Sequence, residues 1–487
     1  MKIRQKTLVN CLGLLVLLNV FSCSPQKEES SPPNVILIIS DDQGYADLGC
    51  TGLADDVQTP NMDRLAASGT RFTQAYATSP ICNPSRAGVL TGCYQQRWGT
   101  FWYGGKGIHD PEFKTIAEIL KANGYATGYV GKVHYGSNDG DTTNRNFPLN
   151  HGFDYYYGHT SARKHYLNHV QKLEDEFQKV KKEHEKWGQS LRQQPLWENF
   201  DLVDTVAFAT ELFGQKACEY ISKHQDEPFF LQLSFNAVHN FTHQLPQEYL
   251  DEKGLTGYHD WDPAKEDYYE WYQAGRKPNH PEGRELYLGQ LHYLDLEIGR
   301  LLDHLEQLNL DQNTLIVYLS DNGGSTPIYA NNYPLRGSKY VLYEGGIRVP
   351  MIIALPGQFE KGVILDNVIS AMDVLPTICA MTNIPVPEYV DGLDLSSDLA
   401  SGNDQIFHDT LYWDTGLEAA VRAGKWKYRM AVDDKNAKYE MVEIELGDFL
   451  YDLEADPGET TNLAEEYPLI LLELKRSHER WKHHLQQ

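Results

Sequence analysis

"NVILIISDD", Asn34–Asp42, is an apolar, β-branched run that stops abruptly on two adjacent aspartates. A continuous apolar run, as opposed to an alternating one, reads as a strand buried on both faces, as in a parallel sheet covered by helices. Three further runs have the same character: "GYATGYVG" (124–131), "PFFLQLSF" (228–235) and "TLIVYLS" (314–320). Between them lie helical patterns. "TIAEILKANG" closes on Gly124, a good helix stop. "DTVAFATELFGQKACEYISKH" and "LYLGQLHYLDLEIGRLLDHLEQLNL" repeat apolar residues every three or four positions. Strand and helix alternation predicts an α/β fold with helices on both faces of the sheet.

The residues just past each strand carry chemistry. Asp41-Asp42 come after the first, Lys132-Val133-His134 after the second, "NAVHNFTH" with His239 and His243 after the third, and Asp321-Asn322-Gly323 after the fourth. In open α/β sheets ligands bind outside the carboxyl ends of the strands, so one rim would gather carboxylates, a lysine and histidines. Each pair alone could be a solvated loop, and Asp41-Asp42 alone could cap a helix. Asp41, Asp42, Asp321 and Asn322 offer only oxygen, a set suited to a hard divalent cation, Ca²⁺ or Mg²⁺. Zinc would want more nitrogen or sulfur.

The formal net charge is −25. Such an acidic chain lacks the basic face that nucleic acid requires. It also repels anionic substrates at long range, so an anion site needs its own concentrated positive charge.

The first residues, Lys2, Arg4 and Lys6, then an apolar run, then Ser22-Cys23, read as a secretory signal over 1–22. Val20, Phe21, Ser22 and Cys23 look like a bacterial lipobox with Cys23 receiving lipid; ordinary cleavage to a soluble product is the alternative. Residues 23–33, "CSPQKEESSPP", would be a flexible tether. The expected place is the cell envelope, on the outer-membrane surface or in the periplasm. Loss of 1–22 removes three positive charges and no negative ones, making the mature chain more acidic still.

Five cysteines remain beyond the signal region: Cys50, Cys82, Cys93, Cys218 and Cys379. An odd number in an oxidising compartment leaves at least one unpaired or chemically altered. Cys218 and Cys379 sit in apolar helical patterns and are expected in the core. Cys82 opens "CNPSRAGVLTG", where Pro84 suits a first helical turn. A helix start and Arg86 would both favour an anion there. A thiolate nucleophile and a buried structural cysteine are both compatible with this pattern.

"CNPSRAGVLTG" resembles the sulfatase signature Cys-x-Pro-Ser-Arg followed by Thr-Gly. "IISDDQGYADLGC", "TPNMDRLAASGTRFTQAY", "HGFDYYYG", "LSDNGG", "PLRGSKYVLYEGGIRVP" and "LYDLEADPGETTNLA" are similar to their counterparts in formylglycine-dependent (type I) sulfatases of the alkaline phosphatase superfamily. The likeness runs from about Asn34 to Ala464 and points to the bacterial carbohydrate sulfatases. It implies a large, mostly parallel mixed sheet flanked by helices and a smaller C-terminal α+β subdomain. It implies that Cys82 is converted to formylglycine by a maturation enzyme. It implies one Ca²⁺ held by Asp41, Asp42, Asp321 and Asn322 together with the modified residue 82. Arg86, Lys132 and Lys339 would bind sulfate oxygens, and His134 and His239 would be catalytic. The Gly-Lys-x-His pattern has Val133 where tryptophan is usual. "AVHNFTHQLP" departs from the usual Pro-His-x-Pro, which leaves His243 a less favoured claimant to the role of His239.

The implied chemistry fits these residue types. A hydrated aldehyde carries two hydroxyls on one carbon; one attacks sulfur while His239 protonates the leaving oxygen. Deprotonation of the other, by His134, then expels sulfate, and the cations stabilise the charge that develops. The substrate class implied is a sulfated carbohydrate from an extracellular polysaccharide. Abundant Tyr and Trp would suit sugar stacking, although composition places none of them. A phosphomonoester or phosphodiester hydrolase on the same scaffold, or an inactive surface glycan-binding protein, are the competing readings.

The expected organisation is a catalytic domain over 34–390 and a C-terminal subdomain over 391–487. In the latter, "DTLYWDTGLEAAVRAGKWKYRMAV" alternates like antiparallel strands and "YPLILLELKRSHERWKHHLQQ" reads as a final helix. A charged helical insertion, about 161–200, would be a solvated hairpin or a wall of the substrate cleft.

Overall fold

The computed structural model describes residues 32–485, except 109, 137–140, 161–165, 167–195, 204, 257–264, 266–280 and 440–441. The expected signal, Cys23 and most of the expected insertion therefore lie outside the described residues.

The first apolar run is strand β1, Asn34–Ser40. In the same ten-stranded sheet are β2 (Thr70–Tyr76), β3 (Ala126–Lys132), β4 (Tyr155–His159), β5 (Leu196–Glu198), β6 (Asp201–Val203), β7 (Phe229–Ser234), β8 (Thr314–Ser320), β9 (Met351–Ala354) and β10 (Val363–Ser370). Their order is β10-β2-β9-β8-β1-β7-β3-β4-β5-β6. The four apolar runs are the adjacent central strands β8, β1, β7 and β3, all parallel. β9 runs antiparallel to both β8 and β2, and β5 and β6 close the far edge antiparallel. The sheet is thus mixed but mostly parallel. β3 begins after Gly124, whose φ of +86° makes the turn out of the preceding helix.

Alternation along β1 builds two cores. Val35, Leu37 and Ile39 join one with helices α2 (Cys82–Thr91), α3 (Ile116–Ala122) and α6 (Val374–Met381). Ile36 and Ile38 join the other with α1 (Pro60–Ala67), α4 (Ala209–Lys223) and α5 (Gly283–Gln307). Each fully buried aliphatic side chain contributes about 1.5–3 kcal/mol, so this strand is anchored from both sides.

A second, antiparallel sheet, β11 (Thr410–Asp414), β12 (Glu418–Ala423), β13 (Trp426–Ala431) and β14 (Gly447–Asp452), has its strands in sequence order. Helix α7, Pro468–Leu485, packs on it through Leu474 and Trp481. The expected alternation and final helix are present. All five described cysteines are free. Cys379 is buried as expected, but Cys218 is only half-buried. It faces a groove between α4 and α5, because the outer flank of α4 carries Glu211, Gln215 and Glu219.

Candidate active site

The parallel strands deliver their last residues to one rim. β1 ends at Ser40, so Asp41 and Asp42 come directly after it; Asp42 takes φ +62° and turns away from strand geometry. No helix starts at this pair, which removes the capping alternative for it. The β7 loop is clipped to the β1 end: Asp41 N donates to the Ala237 carbonyl at 2.9 Å, and Val238 N to the Asp41 carbonyl at 2.8 Å. The Tyr166 hydroxyl lies 2.6 Å from the Asn236 carbonyl and 2.7 Å from that of His239, pinning the same loop.

Three carboxylates meet three cations here, all buried. Lys132 Nζ donates to Asp41. Lys339 Nζ lies 2.7 Å from both oxygens of Asp42. Arg86 Nε donates to Asp321 Oδ2 at 2.7 Å, and its Nη1 to the Lys132 carbonyl at 3.1 Å. Asn322 Nδ2 donates to Asp42 Oδ1 at 2.8 Å. Every residue of α2 is buried, and its first residue, Cys82, brings Sγ to 4.0 Å from Asp42 Oδ1. Burial pushes the Cys82 thiol up to about 12, although Lys132 and Lys339 pull the other way. An unmodified thiol would therefore be protonated at neutral pH and a poor nucleophile.

The two histidines differ in state. His239 Nδ1 lies 2.9 Å from the Asn240 carbonyl, which only accepts, so this nitrogen carries a proton. Its Nε2 faces Asp42 Oδ2 at 3.5 Å. His134, with φ +52°, is held neutral: burial, then Lys132, Arg86 and Lys339, drive it well below the ordinary histidine value. Its Nδ1 is buried without a hydrogen-bond partner.

A cation fits this donor set. Ligand atoms of Asp41, Asp42, Cys82 and His239 lie within 4.8 Å of one another. Asp41 Oδ1 and Asn322 Oδ1 are buried acceptors without partners, a state that costs about 1–3 kcal/mol each unless something fills it. Asp321 borders the group through Arg86 and through Oδ1, which accepts from Asp42 N at 3.2 Å. The structure thus brings together Asp41, Asp42, Cys82, Arg86, Lys132, His239, Asp321, Asn322 and Lys339. His243 lies outside the four-residue group; its ring packs edge-on against Phe241.

Sequence reasoning missed three aromatics at this rim: Trp102, Tyr103 and Tyr340. The Tyr103 ring stacks on His134 with centroids 5.9 Å apart, and its hydroxyl is 2.8 Å from that of Tyr340. Only the position of Tyr340, directly after Lys339, was a usable signal. Tyr166, which pins the His239 loop, was missed for the same reason: it reaches the site from a distant part of the chain.

A mostly parallel sheet whose strand ends gather a buried cluster of carboxylates and cations beside a helix-initial cysteine defines a hydrolase of the alkaline phosphatase-like fold. The profile of the sulfatase family matches residues 33–384, and that of the C-terminal part of N-sulphoglucosamine sulphohydrolase matches 337–483. The chain belongs to the sulfatase family and is a sulfuric ester hydrolase. It is 28% identical to N-acetylgalactosamine-6-O-sulfatase of Bacteroides thetaiotaomicron, over 92% of each chain. It is 31% identical to human arylsulfatase A, over 91% of this chain and 87% of that one. The crystal structure of Ps i-CgsB in complex with k-i-k-neocarrahexaose superposes with a TM-score of 0.74 at 29% identity, over 93% of each chain.

Proposed function

We propose that this sulfatase hydrolyses the sulfate ester of a sugar from an extracellular polysaccharide, using formylglycine at position 82 and one Ca²⁺. The observation that carries the reading is the seat of Cys82. It is buried at the start of α2, 4.0 Å from Asp42, beside two unpartnered acceptor oxygens and two lysines. The relative named N-acetylgalactosamine-6-O-sulfatase and the neighbour solved with k-i-k-neocarrahexaose support the substrate class.

Asp41, Asp42, Asp321, Asn322 and residue 82 would hold the Ca²⁺. When bound, it would add positive charge beside the sulfate oxygens in a site whose three carboxylates and three cations otherwise balance. As formylglycine, residue 82 would supply a hydrated aldehyde with one hydroxyl for attack and a second whose deprotonation later releases sulfate. Lys132, paired with Asp41, and Lys339, paired with Asp42, would bind the ester's oxygens. Arg86, fully buried behind Asp41 and Asp321, holds those carboxylates in place and adds charge from below. His239 keeps one proton on Nδ1 through the Asn240 carbonyl, so the proton it gives the leaving oxygen sits on Nε2. His134, neutral with a bare buried nitrogen, is the group able to accept a proton.

The N-terminal sequence supports export with a lipid on Cys23 and a place in the cell envelope. A maturation enzyme acting on "CNPSR" completes the site.

The test is release of free sulfate from a panel of sulfated mono- and oligosaccharides, run beside 4-nitrophenyl sulfate and 4-nitrophenyl phosphate. Sulfate release from at least one sugar, well above the rate on phosphate ester, is expected. Phosphate-ester hydrolysis with no sulfate released from any sugar would overturn the reading.

A further inference from the structure

The aromatic group at the rim has no part in the sulfate chemistry itself. Trp102 meets the edge of Tyr103 at 5.9 Å and the ring of Tyr340 at 5.7 Å. Tyr103 and Tyr340 lie 5.8 Å apart with their hydroxyls bonded. Tyr340 adopts φ +76°, an outlier for a bulky residue that persists only where surrounding structure enforces it. Its N–H donates to the Pro80 carbonyl at 2.8 Å, two residues before Cys82. This conformation lets Lys339 reach Asp42 while Tyr340 reaches Tyr103. Lys339 Nζ lies over the Tyr340 ring, 5.5 Å from its centroid, so the aromatic group adjoins the cations of the site.

The group is only partly covered. Tyr103 is 36% exposed and Trp102 is half-buried, while Tyr340 is buried behind them. Its loop is nonetheless firmly seated: Ile108 N and the Lys106 carbonyl both bond the Asn146 side chain. A Cβ on Gly107 would come within 2.5 Å of the Tyr135 carbonyl. Rigid aromatic rings with hydroxyl rims match a sugar, which presents apolar C–H faces and polar edges.

We propose that Trp102 and Tyr103, backed by the buried Tyr340, form the wall against which the pyranose ring bearing the scissile sulfate packs. This rests on the sugar-sulfatase reading of the site. The wall stands over His134 and beside Lys339, so a ring packed on it would present its ester to the cations below.

The experiment uses the active full chain and the sugar of the panel that it turns over fastest. Trp102→Ala, Trp102→Leu, Tyr103→Ala and Tyr103→Phe are compared for kcat, KM and inhibition by inorganic sulfate. Each loss of a ring should raise KM about fivefold to tenfold. Inorganic sulfate, which has no ring, should inhibit all four variants as it inhibits the wild type. Tyr103→Phe keeps the face and should raise KM less than Tyr103→Ala, and Trp102→Leu should behave as Trp102→Ala. Unchanged KM in both Trp102 variants would overturn the proposal. So would a fall in kcat at constant KM in Tyr103→Ala, which would mean that Tyr103 only positions His134. Weakened sulfate inhibition matching the rise in KM would overturn it too, as general damage to the site. A wild type that releases sulfate from no sugar defeats the sugar-sulfatase reading and this one together; an active wild type with indifferent variants defeats this one alone.

Discussion

His239 sits between two roles that its hydrogen bonds separate. The Asn240 carbonyl fixes one proton on Nδ1, so that proton transfer falls to Nε2, 3.5 Å from Asp42 Oδ2. His239→Ala should lower the rate on a sugar sulfate by about 10²–10⁴-fold. The loss should shrink on 4-nitrophenyl sulfate, whose leaving group needs little protonation. Kinetics of both substrates check this; the same pattern in His243→Ala, and not in His239→Ala, would move the role to His243. Asp321 poses a different question. Its salt bridge with Arg86 is fully buried, so Asp321→Ala leaves the guanidinium only the longer 3.8 Å pairing with Asp41 and should cost about 3–5 kcal/mol of stability as well as activity. Denaturant unfolding reads the first loss. Metal analysis of purified wild type should find about one calcium per chain; zinc, or full activity without metal, would contradict the oxygen-ligand set.

At the scale of elements, the site depends on close approach between strands. Gly131 precedes Lys132 at the end of β3 with φ +110°, and a Cβ there would come within 1.9 Å of the Ser234 carbonyl on β7. Backbone cannot yield as a flexible side chain can. Gly131→Ala should therefore force β3 from β7, lower the thermal midpoint, and displace Lys132 enough to raise KM. A variant with wild-type melting and KM would show that the strands have slack. The central strands were legible because each is a solid apolar run ending in charged residues. β5 and β6 were not: three residues each, partly polar, they pair only because β4 offers an edge. The antiparallel direction of β9 was equally hidden, since an apolar run such as Met351–Ala354 carries no sign of its orientation. In the site, the residues that end strands were readable by position, whereas Trp102, Tyr103 and Tyr166 come from loops whose convergence only the fold supplies.

Across the whole molecule, buried ion pairs and one large ring seat the second sheet on the first. Trp413 of β11 donates from Nε1 to the Ala77 carbonyl at 2.8 Å and packs on Tyr76. Within the second sheet Arg429 pairs with Glu418 at 2.7 Å, and Lys427 reaches out of it to Glu344 at 3.0 Å and to Glu459 at 2.9 Å, all buried. One lysine serves two carboxyls: Glu344 is held low, while burial pushes Glu459 up to about 7. A raised carboxyl stabilises the fold in its protonated form, so its contribution is present at low pH and lost as pH rises toward 7. The wild type should lose stability relative to Glu459→Gln between pH 4.5 and about 7, by up to ~3 kcal/mol. Parallel pH profiles for the two proteins in urea unfolding would refute this.

All of these effects surround one atom position, the side chain at residue 82. Mass spectrometry of the peptide spanning Ser79–Arg86, taken from fully active protein, reads that side chain directly. The expected result is an aldehyde or its hydrate in place of the thiol, with the modified fraction tracking specific activity across preparations. Full activity from protein whose Cys82 is an intact thiol would contradict it.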